Sequence, residues 1–171
     1  MEELYVFGTG NAQAVRCYNT CFALKDGEEF FMVDAGGGNG ILGILEQMQV
    51  DLTHIHHIFV THEHTDHVCG LATMTKNHKL PIYAPRTVAN YLRRTIAGVE
   101  DYLHVVTPGV YFGIRGAQLL AFRTPHDTPE SVGYRIEADI RFGLCTDLGH
   151  VTDEVLDALT GVDAAVIEAN H

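Results

Sequence analysis

Six consecutive residues, His62-Glu63-His64-Thr65-Asp66-His67, put three imidazoles and the Asp66 carboxylate into one short segment. In a solvated loop each ring would need its own hydrogen-bond partner, and the rings would repel one another once protonated. A divalent cation removes both difficulties, because neutral imidazole nitrogens and carboxylate oxygens are its preferred ligands. The alternating His62 and His64 can converge on one ion while Asp66 and His67 face a second. Zn2+ suits this N/O set, one or two ions per chain, and Mn2+ is also admitted. Such an ion brings the pKa of a bound water down to about 7, so the chemistry expected is hydrolysis. A nucleophilic side chain is not required, and neither Ser131 nor Cys145 lies in a recognisable triad context.

The elements flanking the segment are built to hold it. Ile55–Val60 is a short apolar run that reads as a strand leading directly into Thr61-His62. Before it, Leu4–Phe7 is strand-like, and Tyr18–Lys25 with Glu28–Val33 reads as a hairpin turning at Asp26-Gly27. Ile41, Ile44, Leu45 and Met48 recur at helical spacing after Gly36-Gly37-Gly38. Downstream, the pattern predicts a short helix from about Val68, a strand at Pro81–Ala84, a helix over Thr87–Gly98, and strands at Gln118–Thr124, Val132–Ala138 and Ile140–Thr146. Thr152, followed by Asp153 and Glu154, starts a helix that stops at Gly161 before a strand at Ala164–Glu168. Strands and helices alternate without a linker or repeat, which makes the fold class α/β with mixed sheets, in one domain spanning 1–171.

Composition bounds the partners. Apolar residues make up 46% and charged residues 19%, enough for a core, and no run of about 18 apolar residues is available to span a membrane. Met1-Glu2-Glu3 is acidic where a secretory leader is basic, and the four cysteines lack paired spacing, so the reading is a cytoplasmic protein with reduced thiols. The net charge of −11 opposes indiscriminate attraction to nucleic acid. Yet His67 to Val99 holds no Asp or Glu and five of the eleven basic residues, Lys76, Lys79, Arg86, Arg93 and Arg94. His54, His56, His57, His78 and His104 carry no spacing that aims them at the motif and are read as structural or exposed.

The six-residue motif, its preceding strand and the upstream Asp34-Ala35-Gly36-Gly37 resemble the metallo-β-lactamase-fold hydrolases, in particular their nuclease-type branches. Up to about His67, Gly8-Thr9-Gly10-Asn11-Ala12 included, the chain is most similar to ribonuclease Z-like hydrolases. From Val68 onward it looks like the WalJ-like bacterial branch linked to DNA exonuclease activity. The resemblance implies an αββα sandwich with a metal cleft at the rim of two mixed sheets. It also implies that His62, His64 and His126 hold the first metal, that Asp66 and His67 hold the second, and that Asp147 bridges them. Asp34 would orient a ligating histidine through its other ring nitrogen. The family completes its second ligand set with a later histidine. Here only His150 and His171 follow Asp147, so the fold reads as C-terminally shortened, with His171 the candidate extra ligand and a tight first site expected beside a weaker second one.

The function expected is a zinc-dependent hydrolase of the phosphodiesterase or nuclease kind, with nucleic acid or a small phosphodiester as substrate and Asp66 as the proton-handling catalytic group. Two other readings remain open at this point. One is a lactone or thioester hydrolase using the same site. The other is a non-catalytic metal-binding domain, with self-association as a homo-oligomer covering an open sheet edge.

Overall fold

A computed structural model describes residues 3–11, 13 and 15–169. Strands β1 (Glu3–Gly8), β2 (Cys21–Asp26) and β3 (Glu29–Val33) run antiparallel, the β2–β3 turn using Gly27 at φ 59°. Parallel crossovers follow: α1 (Gly40–Gln47) leads to β4 (Ile55–Phe59), α2 (Thr65–Met74) to β5 (Ile82–Pro85), and α3 (Arg86–Thr95) to β6 (Leu103–Val106). These six strands make one mixed sheet in sequence order. The second sheet has the order β11-β10-β9-β8-β7, from β7 (Tyr111–Ile114), β8 (Ala117–Arg123), β9 (Val132–Glu137), β10 (Arg141–Leu148) and β11 (Ala164–Ala169). Its meander is antiparallel until α4 (Asp153–Leu159) returns the chain to pair β11 parallel to β10.

Alternation along the strands sorts the core into layers, since successive side chains point to opposite faces. Met32, Ile58 and Ile82 face Ile41, Leu45, Leu71, Val88 and Leu92 of the three helices. Phe22, Val33 and Phe59 face the other way, against Leu119, Ala121, Tyr134 and Leu144 of the second sheet. On the far side, Cys145 and Leu148 pack beneath Val155 and Ala158 of α4. The result is the expected αββα sandwich of two mixed sheets. Among the described residues no helix is long and apolar enough to cross a membrane.

Two boundaries differ from the periodic reading, and two strands were not anticipated by it. Helix α2 starts at Thr65, three residues earlier than its apolar pattern, so Asp66 and His67 belong to its first turn. Helix α3 ends at Thr95, short of the expected Gly98. Strands β6 and β7 had no sequence signature, being four residues each and half exposed.

One histidine in the inter-sheet layer is a source of acid lability. The His57 ring stacks on Phe31 (centroids 5.4 Å apart, planes at 17°) and lies 5.7 Å from Tyr83, and both of its nitrogens are buried without a hydrogen-bond partner. Burial, then the nearby His56 and His104, push its pKa down to about 4. A folded pKa below the unfolded value means that stability is complete above about pH 6.5 and falls as the pH drops toward 4, by about 1–2 kcal/mol once solvent screening of this half-buried ring is allowed for. His57→Phe keeps the stack and removes the titration. Its thermal midpoint at pH 4.5 should exceed that of the wild type by about 5 °C, with little difference at pH 8. Parallel midpoint-against-pH curves for the two proteins would contradict this origin.

Candidate metal centre

The motif histidines stand at the rim because β4 ends there, and a second set of contacts draws β9 to the same place. The Val132 amide donates to the Thr61 carbonyl at 3.0 Å, and the Tyr134 hydroxyl donates to the Val60 carbonyl at 2.8 Å. These bonds fasten the two sheets directly under His62. They also bring the β8–β9 loop, with His126, across to His64.

Asp34, fully buried at the end of β3, organises the floor. Its Oδ1 accepts from the Thr61 amide at 2.9 Å; its Oδ2 accepts from the Thr61 hydroxyl at 2.7 Å and faces His67 Nδ1 at 2.7 Å. The Thr61 hydroxyl has one proton and gives it to Asp34. Toward His62 Nδ1, 3.0 Å away, it can therefore only accept, which puts the ring hydrogen on Nδ1. One carboxylate thus presets two rings, His67 directly and His62 through Thr61, with both Nε2 atoms turned inward.

Helix α2 delivers Asp66 and His67 by docking against the turn after Asp34. The Ala35 amide donates to the His67 carbonyl at 2.8 Å and the Gly70 amide to the Gly36 carbonyl at 3.0 Å. The approach is so close that a Cβ at Gly70 would lie 2.0 Å from the Ala35 carbonyl oxygen. His64 occupies the helix N-cap without making a side-chain cap, which frees its ring. Asp66, in the first turn, lies where the helix dipole favours a carboxylate.

The side chains converge into two overlapping groups that could hold a cation, His62 with His64 and His126, and His62 with His67 and Asp147, each with ligand atoms within 4.8 Å of one another. The donor set fits a zinc-like ion. His62 Nε2 is buried with no hydrogen-bond partner, an arrangement that costs free energy unless something binds the lone pair. His64 Nδ1 and His126 Nε2 lie 3.3 Å apart. Tetrahedral Zn–N bonds of about 2.0–2.1 Å separate ligand nitrogens by about 3.3–3.4 Å. Within the second group Asp147 Oδ2 lies 2.8 Å from His67 Nε2 and 3.7 Å from Nε2 of the shared His62, while Asp66 Oδ2 is 3.7 Å from His67 Nε2 and outside both groups.

Electrostatics divide the two groups. Burial, and then the neighbouring His67, hold His62 well below the usual histidine range. For His67, burial also pulls downward, but the charges of Asp34 and Asp147 outweigh it and raise the pKa to about 10. Burial tends to raise Asp147, yet the hydrogen bond and charge of His67 take it down to about 2. Asp34 and Asp147 are two of only four non-glycine residues at positive φ among the described residues, at 55° and 51°. Asp147 lies inside β10, next to the irregularity in its pairing with β11, rather than after the strand. Such backbone is held against its own preference where the surroundings demand it.

All seven residues His62, His64, Asp66, His67, His126, Asp147 and Asp34 therefore meet at one rim; His171 lies outside the described residues. Sequence reasoning missed two carboxylates. Asp127 Oδ1 comes within 3.2 Å of His126 Nε2 and 3.6 Å of His64 Nε2. Glu168 on β11 is raised above the ordinary carboxyl value by burial and then by Asp147, which puts it at the same site. Direct adjacency to His126 was a signal for the first. The second depends on the β10–β11 pairing.

The beta-lactamase superfamily domain model matches residues 31–171. Exodeoxyribonuclease YycJ of Bacillus anthracis is 29% identical over 147 residues, which cover 84% of this chain and 56% of that protein. Ribonuclease Z of Staphylococcus carnosus is 30% identical over 159 residues, 82% of this chain and 51% of the relative. The chain thus spans about half the length of these curated relatives. Among solved structures, Zn2+-bound PqqB from Methylobacterium extorquens superposes with a TM-score of 0.77 at 20% identity, covering 96% of this chain and 72% of that one.

Proposed function

Because the chain belongs to the beta-lactamase superfamily domain family, we propose that it is a zinc-dependent phosphodiesterase acting on nucleic acid, built as one domain. The observation that carries the proposal is the preset of the two rings: Asp34, alone and through Thr61, turns the Nε2 atoms of His67 and His62 toward Asp147, with His64 and His126 beside them. The substrate class is supported by two relatives of different kinds, an exodeoxyribonuclease and a ribonuclease Z, both named for nucleic-acid cleavage. A cytoplasmic setting is supported by four free cysteines.

In this reading His62, His64 and His126 would hold a first ion, and His67, Asp147 and Asp66 would hold a second. When bound, the ions supply Lewis acidity that activates water near neutral pH and offsets charge on the phosphoryl oxygens. Asp34 and Thr61 keep the hydrogens of His62 and His67 on Nδ1, so that neither ring turns away during turnover. Asp66, partly open to solvent, accepts the proton lost by the attacking water.

The test is metal content measured together with hydrolysis of bis-p-nitrophenyl phosphate, for the wild type and for His64→Ala. His64 is half-exposed and caps nothing, so the variant should fold, retain less metal after dialysis and lose activity by at least about 100-fold. Full metal retention with lost activity would refute the ligand assignment. Turnover of a thioester in preference to the diester would refute the substrate class.

A further inference from the structure

Beside the histidine cluster, and sharing His126 with it, lies a cleft of about 370 Å³. One wall is the first turn of α3, with Arg86 and Thr87; the other is the end of β8, with Arg123, and the β8–β9 loop, with His126 and Glu130. We propose that this cleft binds a backbone phosphate of a nucleic acid adjacent to the phosphate presented at the histidines. The inference rests on the phosphodiesterase reading and adds the residues that would select a polymer over a small diester.

Charge supports the assignment. Arg86 is exposed and makes no hydrogen bond or ion pair among the described residues. Arg123, its side chain 63% exposed, only approaches Glu154 at 3.8 Å. Of the acids nearby, Glu130 keeps its charge in the lining, so the two arginines leave the cleft with a net positive balance of one. Glu130 Oε2 accepts from both the amide and the hydroxyl of Thr87 at 2.8 Å, and Glu154 Oε1 accepts from the Arg123 amide at 2.9 Å. Asp127 turns toward His126 and His64 and is not part of the cleft lining. Two arginines, one unpaired and one held only by a long, exposed ion pair, therefore line a cleft that also includes a candidate metal ligand, in a chain whose net charge is −11. Against that overall field a polyanion needs a local cationic seat, and arginine offers phosphate a two-pronged donor where lysine offers a point charge.

The structure also separates these arginines from the rest of the acid-free stretch. Arg93 and Arg94 lie in the last turn of α3, roughly 10–12 Å along the helix from Arg86 at 1.5 Å per residue. Arg93 is bonded to Asn90, and Lys79 is paired with Asp101 at 2.8 Å. Arg86 alone of the five basic residues reaches the cleft, and Arg123, from another part of the sequence, completes it.

The test uses EDTA-treated protein, so that binding is read without turnover. Fluorescence anisotropy of a labelled oligothymidylate, followed over a salt series, should give a slope of log K against log salt that falls by about 0.7 for Arg86→Gln and again for Arg123→Gln. Arg93→Gln should leave the slope unchanged. In the metal-loaded enzyme the double variant should raise KM for the oligonucleotide at least tenfold. Wild-type slopes in both single variants would overturn the inference, as would failure of the wild type to bind the oligonucleotide. Hydrolysis of bis-p-nitrophenyl phosphate by the wild type reports separately on the phosphodiesterase reading. Arginine-dependent binding without that hydrolysis would leave the cleft standing and remove the reaction.

Discussion

Asp34→Asn should leave a folded protein that binds its ions about 10- to 100-fold more weakly, although Asp34 is expected to touch no ion itself. Asparagine matches aspartate in size and tolerates the positive φ of 55° at this position. What changes is the direction of the hydrogen bonds. An amide nitrogen facing His67 Nδ1 becomes the donor, so the ring hydrogen must move to Nε2, the atom that faces Asp147 at 2.8 Å. If the amide turns the other way, its nitrogen meets the Thr61 amide, two donors in contact at a buried site. The first orientation loses the preset of His67, and the second keeps both rings at the cost of a buried clash between donors. Isothermal titration of the EDTA-treated variant with zinc should register the weaker binding, and bis-p-nitrophenyl phosphate turnover should fall with occupancy and recover partly at high zinc. Asp34→Ala is the harsher change. It strands the Thr61 amide, the Thr61 hydroxyl and His67 Nδ1 at about 1–3 kcal/mol each, a sum that approaches the whole stability of a typical domain. Unaltered zinc affinity in Asp34→Asn would mean that the rings are oriented by something other than this carboxylate.

The dependence on Asp34 explains why some of the site was legible in the sequence and some was not. His62, His64, Asp66 and His67 declare themselves by type and spacing, and an apolar run such as Ile55–Phe59 can hardly be anything but the strand that carries them. The sandwich followed from resemblance to a known family, not from periodicity. Thr61 was silent, because a threonine next to a histidine is ordinary until a carboxylate 27 positions upstream takes its proton. The start of α2 was placed too late, since its first turn is polar and its apolar pattern begins only at Val68, whereas His67 is buried by the Asp34 contact and not by hydrophobicity. Arg123 was overlooked for a similar reason. Basic residues were weighed as a run along the chain, but the cleft takes one arginine from that run and the other from a strand end in the second sheet. Local pattern reports which side chains can do chemistry; pairing between distant segments decides which of them meet.

The second large effect is that binding at His67 and Asp147 should be driven by rising pH. His67 Nδ1 lies 2.7 Å from Asp34 and Nε2 lies 2.8 Å from Asp147, and without an ion each contact requires an N–H, so the ring is an imidazolium between two carboxylates. Its pKa is about 10 in the folded protein, above the unfolded value of about 6.5. The stability it contributes to the EDTA-treated protein is therefore complete below about pH 6.5 and is lost as the pH rises through about 10. Asp147 works in the opposite sense. With a folded pKa of about 2, its contribution is complete above about pH 4 and is lost as the pH falls through about 2. Coordination through His67 Nε2 must displace the proton there, so log K for that ion should rise by about one per pH unit between pH 7 and 9. About one proton should be released per ion, measurable by calorimetry in buffers of different ionisation enthalpy. The ion held by His62, His64 and His126 draws no such proton from His62, which burial and then His67 keep neutral. Two ions differing in pH dependence should accordingly appear as two phases. Asp147→Asn keeps the backbone at φ 51° comfortable but withdraws one of the two anions that sustain the imidazolium, leaving Asp34. It should weaken the pH-dependent phase and make it level off at a lower pH, and reduce phosphodiester turnover by at least about 100-fold. An affinity that stays flat from pH 7 to 9 would contradict the protonated His67 and, with it, the division of the cluster into a neutral half and a proton-gated half.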